Sequence, residues 1–91
     1  MKKVYLFVYS NSLGGRDEVR SIVDSISQIT NWIYDMPNSF FLQSDSTANQ
    51  LIDLIKAKIK GEGQSFFITE VDKNRQGYIT QDMWNFINNK N

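Results

Sequence analysis

The sequence predicts an α+β chain in which four strands form one antiparallel sheet and two amphipathic helices cover one of its faces. Three observations carry that expectation: an opening run of β-branched and aromatic residues, two stretches with apolar residues at helical spacing, and a proline-containing hairpin between them. With 91 residues the chain has the size of a single domain, residues 1–91, able to fold on one small core.

Val4-Tyr5-Leu6-Phe7-Val8-Tyr9 reads as the first strand, apolar on both faces. Strand alternation puts Val4, Leu6 and Val8 on one side and Tyr5, Phe7 and Tyr9 on the other. Ser10 to Gly15 is a loop broken by Gly14-Gly15, and Arg16 opens the first helix. Val19, Ile22, Val23, Ile26 and Ile29 form its buried stripe, while Asp17 and Glu18 suit the positive end of its dipole.

A hairpin follows, with Trp32-Ile33-Tyr34-Asp35 as one strand, Met36-Pro37-Asn38-Ser39 as the turn and Phe40-Phe41-Leu42-Gln43 as the return. Pro37 presets the turn and Asn38 tolerates the left-handed conformation. Merging the hairpin into one strand gives a three-stranded α/β alternative, which Pro37 opposes. Asp45 or Ser46 caps a second helix with the stripe Ala48, Leu51, Ile52, Ile55 and Ile59. Lys56, Lys58 and Lys60 crowd its last turn, and Gly61-Glu62-Gly63 ends it. Phe66 to Thr69 is the fourth strand. Thr80 caps a short terminal helix with Met83, Trp84, Phe86 and Ile87, before an Asn-rich end expected to fray. The order β-α-β-β-α-β, then a helix, is the ferredoxin-like, or split β-α-β, arrangement.

Composition limits the chemistry. Hydrophobic residues at 41% and charged residues at 22% place the chain among folded globular proteins. Ten Lys+Arg against ten Asp+Glu leave no net charge, which disfavours nucleic acid as a partner because that affinity rests largely on phosphate neutralisation. Neither Cys nor His occurs, so disulfides, the usual zinc sites and His-based triads are excluded. No pair of acids is spaced to share a pocket, and no base stands beside a Tyr or Ser, so the expectation is a non-catalytic protein without cofactor or metal. The apolar run after Lys2-Lys3 is shorter than a signal-peptide core, and no stretch reaches the ~20 residues of a membrane span, so a cytoplasmic protein with no membrane partner is expected.

If the aliphatic side of the first strand meets the two helices, Tyr5, Phe7 and Tyr9 line the other side, joined by Trp32 and Tyr34. Such a patch marks an interaction face. Its cover is a second copy of the chain, the terminal helix with Trp84, or stacked RNA bases. A homodimer is the expectation, beside an unknown protein partner. Leu6-Phe7-Val8 resembles the start of the first-strand signature of RNA-recognition motifs, but Ser10 stands where that family has Asn, and Phe40-Phe41-Leu42 lacks the partner motif's basic lead.

Two loops imitate ligand sites. Ser10, Asn11, Gly14, Gly15 and Arg16 join a strand end to a helix start, the usual place for an anion, although Asp17 and Glu18 oppose one. Asp72, Asn74, Gln76 and Gly77 follow the spacing of a Ca²⁺ loop. Met83, however, stands at the position of the bidentate carboxylate, and Lys73 and Arg75 flank the ion's place. The expectation there is a turn in which Gly77 takes an unusual backbone angle.

The opening Val4-Tyr5-Leu6-Phe7-Val8-Tyr9-Ser10-Asn11 with Arg16-Asp17-Glu18, the Trp32-Ile33-Tyr34-Asp35 and Pro37-Asn38 hairpin, and Ile68-Thr69-Glu70 followed by Asn74-Arg75-Gln76-Gly77-Tyr78 and Trp84 resemble small bacterial proteins labelled "SinR family". The resemblance covers nearly the whole chain. The sporulation repressor of that name is a helix-turn-helix protein, a motif not seen here. In fold the chain also resembles ferredoxin-like CRISPR-adaptation nucleases and VapD-like ribonucleases, which place an Asp at the end of the first strand, paired across a dimer. Here Ser10 or Asn11 takes that place. The resemblance implies the fold, dimerisation and a link to bacterial defence or mobile elements, with an RNA-binding protein or ribonuclease of the ferredoxin-like class as the competing function.

Overall fold

The computed structural model describes residues 2–59 and 63–88. The strands are β1 (Lys3–Tyr9), β2 (Ile29–Ile33), β3 (Ser39–Ser44) and β4 (Phe66–Glu70), and the helices are α1 (Arg16–Asp24), α2 (Ala48–Lys56) and α3 (Gln81–Asn88). A short 3-10 turn, Asn11–Leu13, links β1 to α1. All four strands form one antiparallel sheet in the order β2-β3-β1-β4. The chain is therefore α+β and compatible with a ferredoxin-like class.

The hairpin turns at Pro37 as expected, but its first strand is Ile29–Ile33 rather than Trp32 to Asp35, leaving Tyr34 and Asp35 outside it, and its return strand gains Ser39 and Ser44. Asn38 takes φ 59, and its side-chain amide donates to the Tyr9 carbonyl at 3.1 Å and to Asn11 Oδ1 at 2.8 Å, so the turn is tied to the end of β1. β3 is buried along its whole length, and its polar members are satisfied. Ser44 Oγ donates to the Gln28 carbonyl at 2.6 Å, and the Gln43 side-chain amide donates to the Phe86 carbonyl of α3 at 3.0 Å.

Helix boundaries depart from the sequence reading in ways that hydrogen bonds explain. α1 stops at Asp24, where Ser25 Oγ donates to the Ile22 carbonyl at 2.7 Å. Ile26 and Ile29 stay buried but lie beyond the helix, and Ile29 opens β2. α2 is capped by Thr47 rather than Asp45 or Ser46. Thr47 Oγ1 accepts the Gln50 N–H at 3.1 Å, and Gln50 Oε1 accepts the Thr47 N–H at 2.8 Å. Ser46 is used elsewhere, its carbonyl accepting the Tyr5 hydroxyl at 2.6 Å. α2 ends at Lys56, so Lys58 falls past its last turn. Lys60, Gly61, Glu62 and the Asn-rich end from residue 89 lie outside the described residues. Thr80 caps α3 as expected, its Oγ1 accepting the Met83 N–H at 3.3 Å.

The largest departure concerns the faces of the sheet. Tyr5, Phe7 and Tyr9 point toward α1 and α2, where they are buried with Val19, Val23, Leu51 and Ile55. Val4, Leu6 and Val8 point to the other face, where α3 packs Met83 and Ile87 onto Val4 and Phe41. The expected match of aliphatic stripe to aliphatic strand is therefore overturned, and Leu6 is half-buried on the α3 side rather than enclosed beneath α1 and α2. Packing matches volumes, not residue classes. The aliphatic side chains of α1 and α2 pack against the rings of Tyr5, Phe7, Tyr9 and Phe40 together with Leu42 and Ile68, whereas α3 brings the bulk of Met83, Trp84 and Phe86 to the other face.

Candidate interaction surface

The six aromatic residues that the sequence assigns to the interaction face, five from the sheet and Trp84 from the terminal helix, occupy three places. Tyr5, Phe7 and Tyr9 are interior. The Phe7 ring lies 5.5 Å from that of Tyr9 and meets Phe66 edge-on at 5.8 Å, while the Tyr5 hydroxyl is spent on Ser46. Burial raises the pKa of both tyrosines; Glu70 adds to the rise at Tyr5, and Arg16 opposes it at Tyr9. They are core residues, not a contact face.

Trp32 and Tyr34 flank the same core at its β2 rim. Their rings stack at 5.9 Å and 5°, both meet Phe40 edge-on, and Trp32 Nε1 donates to Asp24 Oδ1 at 2.6 Å. The Arg16 guanidinium sits 4.1 Å from the centre of the Tyr34 ring. Trp84 is across the sheet, half-buried on α3.

In the loop after β1 the proposed anion ligands are engaged with their neighbours. Ser10 and Ser12 hydroxyls bond at 2.6 Å, the Gly14 N–H donates to the Asn11 carbonyl at 3.1 Å, and Arg16 is held over Tyr34. The Gly15 N–H, at the start of α1, donates to Glu18 Oε1 at 3.2 Å. The helix thus supplies its own carboxylate to its positive end, and an incoming anion meets that charge first. Gly14, at φ 130, is held where a side chain is strained, and a Cβ there comes within 3.1 Å of Glu18.

The segment resembling a Ca²⁺ loop also turns its oxygens onto its own backbone. Asp72 Oδ1 accepts the Lys73 N–H at 2.7 Å and Gln76 Oε1 accepts the Gly77 N–H at 2.9 Å. Arg75 donates to the Asp72 carbonyl and to Asn88 Oδ1 of α3, which fastens the loop to the helix. Gly77 does not take the unusual angle expected of it. Among the described residues the positive-φ positions are Gly14, Asn38 and Gly63.

What stands open is the far end of the face that α3 covers. α3 seals Val4 and Phe41, but Val8 is 41% exposed and its cross-strand neighbour Phe67 66% exposed. Met36, in the hairpin turn, and Tyr78 are exposed as well. Between this end and Trp84 runs a groove of about 460 Å³, lined by Leu6, Phe41, Val71, Ile79 and the chain from Asn74 to Tyr78. The sequence reading gave Phe67 no role beyond the fourth strand and expected Val8 to be covered by the first two helices. The available signal was the alternation of β4, which puts Phe67 on the opposite side from Phe66 and Ile68. Neither the edge position of β4 nor the reach of α3 is written in that pattern. Among the described residues no helix is long and apolar enough to cross a membrane. No protein-family model, curated protein or solved structure matches the chain.

Proposed function

We propose that this chain is a non-catalytic interaction protein that associates with a second copy of itself through the open end of the α3 face. The observation that carries the reading is the neighbouring pair Val8 and Phe67, apolar side chains left 41% and 66% exposed on a sheet face that is otherwise covered. Ten positive and ten negative charges leave no net repulsion between two copies, a condition that favours association. The ferredoxin-like assignment belongs to the same proposal, supported by the β-α-β-β-α-β element order and by β1 lying between β3 and β4. A cytoplasmic setting rests on the short apolar run after Lys2-Lys3 and the lack of a membrane-length apolar stretch, and a role in bacterial defence or mobile elements on the resemblances named above.

Sedimentation equilibrium tests the reading. A monomer–dimer equilibrium is expected at about 100 μM, a concentration that populates any dimer of micromolar Kd. The competing RNA class has lost its stacking residues, since Tyr5, Phe7 and Tyr9 are interior. Tight binding of single-stranded RNA that weakens steeply with salt is the result that restores it.

A further inference from the structure

A sheet edge offers unpaired backbone groups to any strand of matching register, and soluble proteins commonly blunt such edges. The two edges of this sheet differ in that respect. β2 carries a bulge between Ile29 and Asn31, and the outward N–H of Trp32 is already taken by Asn31 Oδ1 at 3.0 Å. β4 reads Phe66-Phe67-Ile68-Thr69-Glu70, with no proline, glycine, lysine or bulge. Val71 donates to the Val4 carbonyl and Ser65 accepts from the Ser10 N–H, so the odd-numbered residues of β4 bond inward to β1. By alternation, the N–H and C=O of Phe66, Ile68 and Glu70 face outward.

We infer that β4 pairs antiparallel with β4 of a second copy about a two-fold axis at Phe67, joining two sheets into one of eight strands. The inference rests on the self-association proposed above and supplies its geometry. Centring on Phe67 sets the two exposed rings opposite each other in a non-hydrogen-bonded pair, where cross-strand side chains come closest. On the helix side of the sheet it sets Phe66 against Ile68 of the second copy, apolar against apolar. Centring on Ile68 instead sets the Glu70 carboxylate against Phe66. The strand is thus complementary to itself in one register, which favours a second copy over a foreign strand.

The absence of cysteine makes the register directly readable. Residues in a non-hydrogen-bonded pair have Cα atoms roughly 4.5 Å apart, within disulfide range. Under mild oxidation the Phe67→Cys variant is expected to run mostly as a cross-linked dimer, and the Thr69→Cys variant as single chains. Phe67→Lys, at an exposed position, is expected to weaken dimerisation on the order of tenfold or more, with an unchanged circular dichroism spectrum. A wild-type dimer that ignores Phe67→Lys and leaves Phe67→Cys uncross-linked overturns the β4 pairing while the self-association reading stands. A wild-type monomer at about 100 μM overturns both and leaves the edge to a strand of another chain.

Discussion

The two faces of one sheet are closed to different degrees. Under α1 and α2, aromatic rings from β1 and β3 fill the space between sheet and helices, and every ring of β1 is buried. Under α3, a single eight-residue helix seals Val4 and Phe41 and stops short of Val8 and Phe67. One face is therefore structural along its length. The other is structural at one end and available at the other. An apolar residue on a strand thus serves stability or contact according to the reach of the helix above it, not its own chemistry.

Substitutions sharpen that contrast. Phe7→Ala, at the centre of the closed face, is expected to cost about 3–5 kcal/mol, enough to unfold much of so small a chain. Met83→Ala is expected to cost about 2 kcal/mol, the low end for such truncations, because its cluster is smaller. The two losses differ in kind. Phe7→Ala should lower protection of all amides together, whereas Met83→Ala should raise hydrogen exchange first in α3, with Trp84 emission shifting before that of Trp32. Equal loss of protection in α1 and α3 on Met83→Ala breaks the comparison, since the faces would then be one cooperative unit.

Thr47→Ala removes a cap on the closed side and is expected to cost about 1 kcal/mol by denaturant melt. The tyrosines add a pH effect confined to that face. Their folded pKa values are raised by burial, so in the unfolded chain they ionise first, near the ordinary 10.0. Their contribution is full below that pH and is lost as pH rises through it toward the folded values. Denaturant midpoints in alkaline buffers are expected to fall less steeply for Tyr5→Phe than for wild type. The smallest effect belongs to the open end, where Val8→Ala should stay within about 0.5 kcal/mol. A loss comparable to that of Met83→Ala shows that Val8 is already covered in the lone chain.

The order of elements was legible because strand and helix periods, Pro37 and Thr80 act locally. Asn38 took the left-handed conformation its side chain suits. What was not legible depends on neighbours distant in sequence. β1 is apolar on both sides, so alternation separates Tyr5, Phe7 and Tyr9 from Val4, Leu6 and Val8 without saying which set meets the helices. Ile29 continues the helical spacing of Val19 and Val23 by coincidence of phase, yet pairs with Ser44 as a strand. Phe67 escaped notice because Phe66-Phe67-Ile68 reads as the middle of any strand, and a strand's place at the edge is fixed by what fails to pair with it.

The position of β1 between β3 and β4 also governs how the chain reaches this state. Val8 lies opposite Ser39 on one side and Phe67 on the other. β1, made before β4, therefore waits for it before its backbone is satisfied, and the hydroxyl of Tyr5 waits for Ser46. Closing such distant pairs before any of them rewards the chain slows folding relative to a helical bundle of equal length. Until β4 arrives, the Val4 to Tyr9 segment is an apolar strand with a bare edge, the species most prone to pair with the wrong neighbour. The nascent chain, rather than the finished protein, is then where aggregation should compete, and slower synthesis through the stretch between β3 and β4 should lengthen that exposure.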